Sequence, residues 1–326
     1  MARIYATRKL PGGALEKLAQ EGHDLSVWEG FCAPSRARLL KEVRGANALV
    51  TLLDDRVDAE LMDAAGSGLK VIAQYAVGVD NIDLKAAQER GIVVTHTPGV
   101  LADATADLAM ALLLAAARRV VEGMQEVRAG GWRCWNPGYL LGKDLNGATL
   151  LVVGFGEIGQ RLARRARGFG LEILYTSRKR KPEAEAALGA RFVSLDEGLQ
   201  FADFVSLHVP LTPETHRLLD ARRLARMKPG SVLVNTARGA VVDTNALVEA
   251  LKHGPLFAAG LDVTDPEPLP PDHPLLALKN VVITPHIGSA GMHTRARMAE
   301  IVAENVRRVL AGRPPLTPVR PPPRQP

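Results

Sequence analysis

The sequence predicts an α/β protein with two domains, each built on a parallel β-sheet. The chain has 326 residues, a length that suggests two domains, and hydrophobic residues make up 47% of it, enough for two cores. Short apolar runs alternate with helical patterns, as in parallel sheets covered by helices. A glycine-rich loop follows a buried strand near the middle, with about 150 residues ahead of it. This position suggests a domain in front, or one built from both ends of the chain.

The amino-acid composition indicates which kinds of molecule the protein binds. The formal net charge is +6, and the basic residues are spread along the chain, which predicts a solvated basic surface and an anionic substrate and cofactor. Aromatic and basic residues do not interleave, so we expect no nucleic acid. Two cysteines, Cys32 and Cys134, indicate no disulfide framework and suit a cytoplasmic protein. The first ten residues lack a signal-peptide core and the longest apolar run is too short for a bilayer, so no membrane partner is expected.

The first hundred residues alternate between strand and helix patterns. The predicted strands cover residues 3–7, 25–28, 48–53, 71–73 and 92–95. The predicted helices cover residues 12–20, 35–43, 59–65 and 83–90. A loop beginning at Gly78 follows the fourth strand, at the sheet edge where α/β proteins bind ligands, and its N–H groups could hold a carboxylate. An ordinary turn in which Asp83 caps the next helix accounts for the same residues equally well.

Residues 103–119 form a long helical pattern that is apolar nearly all round. Such a helix is buried on both sides, and domain packing on one side with a second subunit on the other would achieve this. Residues 129–146 are irregular and carry Trp132 and Trp135. Together these features predict a homodimer.

The central motif is a glycine fingerprint between a strand and a helix. Residues 150–153 form a buried strand, residues 160–168 a helix and residues 171–176 a second strand. Gly154 allows a tight turn, Gly156 lets a pyrophosphate approach the backbone, and Gly159 allows close helix packing. The free N–H groups at the helix N-terminus would bind the phosphates. This arrangement predicts a dinucleotide site.

The remaining pattern completes a second sheet. Strand patterns cover residues 172–176, 191–193, 204–207, 232–235, 258–262 and 281–284. Residues 294–310 form an amphipathic helix that we expect to return to the first domain. The tail, residues 313–326, is rich in proline, and its end is predicted to be disordered. The predicted domains are residues 1–100 with 288–326, and residues 101–287.

Three polar residues lie just past strands of the second domain. Arg238, Glu267 and His286 would converge because the carboxyl ends of parallel strands face one crevice. Hydride transfer to a ketone needs a proton donor, and histidine suits this near neutral pH. A neighbouring carboxylate favours the protonated imidazole, and an arginine can bind a substrate carboxylate with two hydrogen bonds. The set therefore predicts reduction of a 2-keto acid.

These residues stand in motifs that resemble the D-isomer-specific 2-hydroxyacid dehydrogenases. The matching stretches are the glycine fingerprint and residues 99–101, 105–107, 235–239, 260–263, 267–269 and 284–288. The resemblance covers nearly the whole chain to about Val319. Within the family the sequence is most similar to glyoxylate/hydroxypyruvate reductases, through residues 262–270 and 287–290. It implies two Rossmann-like domains with the active site in the cleft between them.

The resemblance also implies residue roles. His286 is the acid/base, Glu267 its partner and Arg238 the substrate anchor, with no metal. The implied substrate residues are Leu53, Val77, Gly78, Arg238, His286 and Trp135. Trp135 would either reach the active site of the other subunit or be buried within the interface between subunits, and both alternatives stay open. The implied cofactor residues are Gly154, Phe155, Gly156, Glu157, Ile158, Gly159, Ser177, Arg178, Lys179, Thr105, Pro210, Thr236, Ala237, Asp262 and Gly288. One departure is His96, where relatives often carry Asn, and it receives no catalytic role.

The second strand of the fingerprint indicates which cofactor is used. In NAD sites an acid about 20 residues past the fingerprint holds the ribose 2′-hydroxyl. Here residues 177–181 contain no acid, and the first one is Glu183. Ser177 and Arg178 could bond a 2′-phosphate, and Lys179 adds positive potential. We therefore predict a preference for NADP(H), with NAD(H) as the alternative cofactor.

Other functions fit parts of the same pattern. A 3-phosphoglycerate dehydrogenase often carries an extra regulatory domain, for which this chain has no room. A formate dehydrogenase of the same fold has a longer N-terminal part that finds no match here. A dinucleotide-sensing corepressor of this fold is a non-enzymatic alternative, which activity with glyoxylate would exclude.

Overall fold

The computed structural model describes residues 1–320, which form two compact units. One unit contains residues 1–101 and 289–320, and the other contains residues 102–288. The predicted disorder at the end of the tail, residues 321–326, lies outside the described residues. Among residues 1–320, no helix combines the length and the apolar character needed to cross a membrane.

The strands and helices alternate along the chain. The strands are β1 (Arg3–Ala6), β2 (Asp24–Val27), β3 (Ala48–Thr51), β4 (Val71–Gln74), β5 (Val93–Thr95), β6 (Thr149–Val153), β7 (Glu172–Thr176), β8 (Ala190–Phe192), β9 (Phe204–Leu207), β10 (Ser231–Asn235), β11 (Leu256–Leu261) and β12 (Val281–Ile283). The helices are α1 (Ala14–Gln20), α2 (Arg36–Glu42), α3 (Ala59–Ala65), α4 (Leu84–Glu89), α5 (Ala102–Ala117), α6 (Val120–Arg128), α7 (Glu157–Gly168), α8 (Pro182–Leu188), α9 (Leu195–Phe201), α10 (Ala221–Ala225), α11 (Thr244–Lys252) and α12 (Met292–Leu310).

The first unit is built on a parallel sheet with the order β2-β1-β3-β4-β5. Successive side chains of each strand enter opposite cores, so Ile72 packs on one face and Val71 on the other. The Asp58 and Asp83 side chains cap α3 and α4 by accepting backbone N–H groups. Helix α12 covers the second face by packing on α1 and β4. The sheet is therefore buried on both sides, as the apolar runs predict.

The second unit contains a parallel sheet with the order β12-β11-β10-β9-β6-β7-β8. The strand order reverses between β6 and β9, because the chain first builds outward from β6 and then returns to its other side. Parallel α/β sheets bind ligands at such a reversal, beyond the carboxyl ends of the strands. The loops after β6, β9, β10, β11 and β12 all leave this edge.

Two helices of this unit differ from the prediction. Helix α7 begins at Glu157 rather than at residue 160, because Gly156 already acts as its N-cap. Helix α6 has no predicted counterpart, and none of its residues is buried, so it lacks the periodic core face by which helices are recognised.

The packing of α5 differs from the prediction that a second subunit covers one of its sides. It is buried as predicted, but it packs against α7 and against β10 and β11 of its own unit. Its exposed positions are Asp103, Asp107 and Ala111. The apolar character of α5 therefore does not call for a second subunit.

Candidate active site

The loop after β6 carries the three glycines of the fingerprint. Gly154 has a φ of 95°, and a Cβ atom there would lie 2.6 Å from the carbonyl oxygen of His208. A Cβ atom on Gly159 would lie 2.3 Å from the carbonyl oxygen of Gly154. Both distances are too short for a side chain, so only glycine allows this turn and this packing of α7 on the strand.

The remaining glycine, Gly156, faces open space. A Cβ atom there would meet no atom within 4 Å, and the residue is the N-cap of α7. The first turn, with Glu157 and Ile158, therefore presents free N–H groups to a ligand that approaches the loop. The Phe155 side chain is buried and stacks on Tyr175, with ring centroids 4.0 Å apart. Phe155 can thus offer only main-chain atoms to a cofactor.

Arg238 lies in a turn after β10 that the buried Asn235 holds. Asn235 Oδ1 accepts the N–H of Ala237 at 3.0 Å, and Asn235 Nδ2 donates to the carbonyl of Arg238 at 2.9 Å. Arg238 Nη1 donates to the carbonyl of Ala237 at 2.8 Å. The backbone on both sides of the arginine is therefore fixed by the strand end.

Gly239 packs the arginine turn against the loop that carries Glu267. A Cβ atom on Gly239 would lie 2.0 Å from the carbonyl oxygen of Thr264. Thr264 in turn donates its N–H to Glu267 Oε2 at 3.2 Å. The absence of a side chain at residue 239 thus lets the turn after β10 and the loop after β11 meet.

His286 and Glu267 are paired. His286 Nδ1 lies 2.6 Å from Glu267 Oε1. Burial raises the pKa of the Glu267 carboxyl, but the hydrogen bond and charge of His286, together with the N–H of Thr264 and the charge of Arg238, lower it by more. The net pKa lies below its ordinary value, so Glu267 is ionised at neutral pH and can stabilise a protonated imidazole.

Asp262 holds the turn that presents His286. His286 has a φ of 54°, an unfavourable conformation for a residue with a side chain. The buried Asp262 carboxylate accepts the hydroxyl of Thr284 at 2.6 Å and the N–H groups of Ile287 and Gly288 at 2.8 and 2.7 Å. These three bonds use residues on both sides of His286, so the strained backbone is held by its neighbours.

Other residues predicted for the cofactor lie around this edge. A Cβ atom on Gly288 would lie 3.4 Å from Thr105 Cγ2 and 3.1 Å from Asp262 Oδ2, so these three residues are in contact. Thr236 Oγ1 is buried and has no hydrogen-bond partner within residues 1–320. A buried polar atom of this kind fits a site that a bound ligand completes. The carbonyl of Pro210 accepts the Thr215 hydroxyl at 2.6 Å.

The basic loop after β7 is an ordered turn. Ser177 Oγ donates to the carbonyl of Lys179 at 2.6 Å. Arg180 pairs with Glu185 at 2.8 Å, and this bond and one from Tyr175 lower the pKa of Glu185 to about 2. The side chains of Arg178 and Lys179 are exposed and form no ion pair with any of residues 1–320. Two cationic side chains are therefore available there.

The loop after β4 contains the other predicted substrate residues. The N–H groups of Val77 and Gly78 have no acceptor among residues 1–320. Asp83 caps α4 by accepting the N–H of Ala86 at 2.9 Å. Both interpretations of this loop are therefore compatible, because Asp83 caps the helix while residues 77 and 78 keep two adjacent free donors. Leu53 is half-buried two residues after β3.

Trp135 lies in the irregular segment after α6, and 82% of it is exposed. Trp132 is 63% exposed, and α6 adds the exposed apolar side chains of Val120, Met124 and Val127. We call these five exposed apolar residues the arm surface. The chain by itself leaves this surface uncovered.

His208, which directly follows β9, has no predicted role. Its carbonyl lies against Gly154, and its Nε2 is 2.8 Å from Ser206 Oγ. Burial lowers the pKa of the imidazole to about 4, so the ring is neutral at physiological pH. A polar residue just past a buried strand is the signal that identifies Arg238, and the same signal would have drawn attention to His208.

Known proteins share this sequence and fold. Residues 110–288 match the family described as D-isomer specific 2-hydroxyacid dehydrogenase, NAD binding domain. A glyoxylate reductase from Thermococcus litoralis is 53% identical over 308 residues, 93% of this chain and 92% of that protein. A protein of known structure from Thermus thermophilus is 60% identical with a TM-score of 0.92, covering 98% of this chain and all of that one.

A third comparison concerns the cofactor. The NADPH-dependent glyoxylate/hydroxypyruvate reductase from Sinorhizobium meliloti is 32% identical with a TM-score of 0.83, covering 99% of each chain. Residues 110–288, which match the family, contain the glycine loop, Arg238, Glu267 and His286. On this sequence identity and this fold, the chain belongs to the D-isomer-specific 2-hydroxyacid dehydrogenases and is an NAD(P)-dependent enzyme.

Proposed function

We propose that the enzyme reduces glyoxylate to glycolate and hydroxypyruvate to D-glycerate, with NADPH as the preferred reductant. The observation that carries the chemistry is the 2.6 Å pair of His286 and Glu267, with the Arg238 turn packed against the same loop. The names of the relatives from Thermococcus litoralis and Sinorhizobium meliloti support the choice of substrate.

The geometry of the His286–Glu267 pair indicates which ring nitrogen of His286 would donate the proton. Because His286 Nδ1 faces Glu267, Nε2 is the ring nitrogen that would donate a proton to the oxygen of the keto group. Ionised Glu267 keeps the imidazole oriented through this hydrogen bond. Arg238 would bind the substrate carboxylate through its planar guanidinium. Leu53 and the N–H groups of Val77 and Gly78 are the other groups that we propose for substrate binding.

The residues of the second unit fit a dinucleotide. The glycine loop and the first turn of α7 would hold the pyrophosphate, with Pro210, Thr236, Ala237, Asp262, Gly288 and Thr105 around the rest of the cofactor. The orphaned hydroxyl of Thr236 and the open space at Gly156 support this assignment. When bound, the nicotinamide supplies the hydride that reduces the keto carbon.

The substrate assignment is tested with purified enzyme and a panel of glyoxylate, hydroxypyruvate, pyruvate and phosphohydroxypyruvate, each with NADPH and NADH. We expect the highest kcat/KM with glyoxylate or hydroxypyruvate. His286→Gln should lower kcat by roughly 100- to 10,000-fold while cofactor binding is kept. Glu267→Gln should also lower kcat, because the imidazole loses the carboxylate that orients it. Near-normal kcat in His286→Gln would remove histidine from its proposed role.

The cofactor preference is a separate proposal and has its own test. Ser177, Arg178 and Lys179 would bind the 2′-phosphate of NADPH, since Arg178 and Lys179 form no ion pair within residues 1–320. Losing a hydrogen bond to this charged group should cost Arg178→Ala roughly 10- to 100-fold in kcat/KM for NADPH, with little change for NADH. Arg164→Ala, which removes an exposed charge outside this loop, is the control. A wild type that favours NADH would refute the preference.

A further inference from the structure

His96 follows β5, and its imidazole reaches the loop after β4. His96 Nδ1 lies 2.9 Å from the carbonyl oxygen of Val77. The next residue, Thr97, donates its N–H to the carbonyl oxygen of Ala76 at 2.8 Å. Two successive carbonyls of the loop are therefore held by two successive residues of a different segment.

These two contacts fix the direction of two N–H groups. In a trans peptide unit the C=O and the N–H point in opposite directions. The Ala76 carbonyl shares its unit with the N–H of Val77, and the Val77 carbonyl shares its unit with the N–H of Gly78. Anchoring the carbonyls at residues 96 and 97 therefore turns both N–H groups away from that segment. Neither the N–H of Val77 nor that of Gly78 has an acceptor among residues 1–320.

His96 is itself held by the segment 316–319. Its N–H donates to the carbonyl of Thr317 at 3.1 Å, and Thr317 Oγ1 donates to the carbonyl of His96 at 2.5 Å. Thr317 is held by Asn305, a fully buried residue of α12, whose Nδ2 donates to Thr317 Oγ1 at 2.7 Å. Asn305 Oδ1 accepts the N–H groups of Leu316 and Thr317 at 2.8 and 3.0 Å.

We propose that His96 is a positioning residue for the substrate carboxylate, and that the segment 316–319 holds it in place. This inference rests on the proposed function, in which the N–H groups of Val77 and Gly78 bind that carboxylate. The hydrogen bond to Val77 requires a proton on Nδ1, which the imidazolium and one neutral tautomer both carry. Residues 316–319 would thus act on substrate binding through His96.

Three substitutions at residue 96 separate positioning from a general structural role. In Asn the amide nitrogen is as many bonds from the backbone as Nδ1 is in His, whereas in Gln it is one carbon further. His96→Asn should therefore keep the wild-type KM for glyoxylate within about twofold. His96→Ala and His96→Gln should raise it roughly three- to tenfold, the effect of one hydrogen bond. In all three, kcat and the KM for NADPH should stay near wild type, and thermal unfolding checks that each variant folds.

A second position tests the segment 316–319. Thr317→Val removes the hydroxyl that contacts His96 and should raise the KM for glyoxylate roughly two- to fivefold, by the loss of part of the same support. If Thr317 acts through His96, this effect disappears in the His96→Ala background. An equal effect of Thr317→Val in both backgrounds overturns the role of the segment.

The outcomes also separate this inference from the proposed function. A wild type that reduces none of the four keto acids refutes the proposed function. A wild type that reduces glyoxylate, together with a His96→Ala variant of unchanged KM, refutes only the inference. The inhibition constant of oxalate, a carboxylate that is not reduced, should rise in His96→Ala by the same factor as the KM.

Discussion

At the scale of single residues, the site depends on buried polar side chains that hold the turns carrying its functional residues. Asp262 is an example, because its carboxylate accepts three hydrogen bonds from the turn that presents His286. Asn235 has the corresponding role for Arg238. Asn235 is the last residue of β10, and Asp262 directly follows β11 of the same sheet. The reactive side chains are thus oriented by strand ends rather than by the loops alone.

Asp262→Asn should weaken this arrangement. The amide nitrogen cannot accept an N–H, so at least one buried donor loses its partner at a cost of about 1–3 kcal/mol in unfolding free energy. We expect a lower Tm and a kcat reduced roughly 10- to 100-fold, since His286 is no longer held in its strained conformation. Asp265→Asn, at an exposed position nearby, is the control. An unchanged kcat would show that the His286 turn is held by other contacts.

The lowered pKa of the His208 imidazole should make the unfolding free energy depend on pH. Burial lowers its pKa from 6.5 to about 4. The unfolded chain therefore binds a proton between these values that the folded chain does not bind, so stability falls as the pH drops below 6.5 and levels off near 4. Between pH 7.5 and 5 the wild type should lose about 2 kcal/mol more than His208→Gln, which does not titrate. Chemical denaturation at both pH values measures this, and equal losses would contradict it.

At the scale of elements, the glycines of the loop between β6 and α7 have separable functions. A side chain at Gly159 would collide with Gly154, whereas one at Gly156 would meet no atom within 4 Å. Gly159→Ala should therefore lower the unfolding free energy by about 1–3 kcal/mol. Gly156→Ala should leave it within about 0.5 kcal/mol and raise the KM for NADPH at least tenfold, because its methyl group occupies the approach of the pyrophosphate. Reversed effects would contradict the assignment.

At the scale of the whole molecule, we propose that the arm surface is the contact of a homodimer. Its exposed residues include Trp132 and Trp135 in the irregular segment and Val120, Met124 and Val127 on α6. Large apolar patches on a soluble protein mark interaction sites. Glutamates at residues 124 and 127 should abolish dimers, whereas Gln125→Glu adds charge to the same helix without removing apolar surface. Sedimentation of the wild type as a monomer at micromolar concentration would exclude the dimer.

Trp135 extends this proposal to the pocket. If it reaches the active site of the other subunit, Trp135→Ala should change the ratio of kcat/KM values for glyoxylate and hydroxypyruvate, and Trp132→Ala should not. The effect should vanish when residues 124 and 127 are both glutamate. An unchanged ratio in Trp135→Ala would leave this tryptophan a role only in the contact between subunits.

The sequence by itself determined the strands, most of the helices and the glycine motif. Strand β9 is predicted with its observed ends, and so is α3, because buried strands and capped helices have patterns that a few neighbouring residues establish. The strand pattern placed Arg238, Glu267 and His286 just past strand ends, and the family motifs gave them their expected roles. Since the strands are parallel, this placement already implied that the loops carrying them leave one edge.

Only the tertiary structure decided which distant residues support them. The contact of Gly239 with Thr264, the three bonds of Asp262 and the link from Asn305 through Thr317 to His96 join residues far apart in the chain. The burial of α5 against β10 and β11 is also a contact between elements that are far apart in the chain. A local pattern shows that a side chain is apolar or polar, but the partner that satisfies it is fixed only when the packed elements bring their surfaces together.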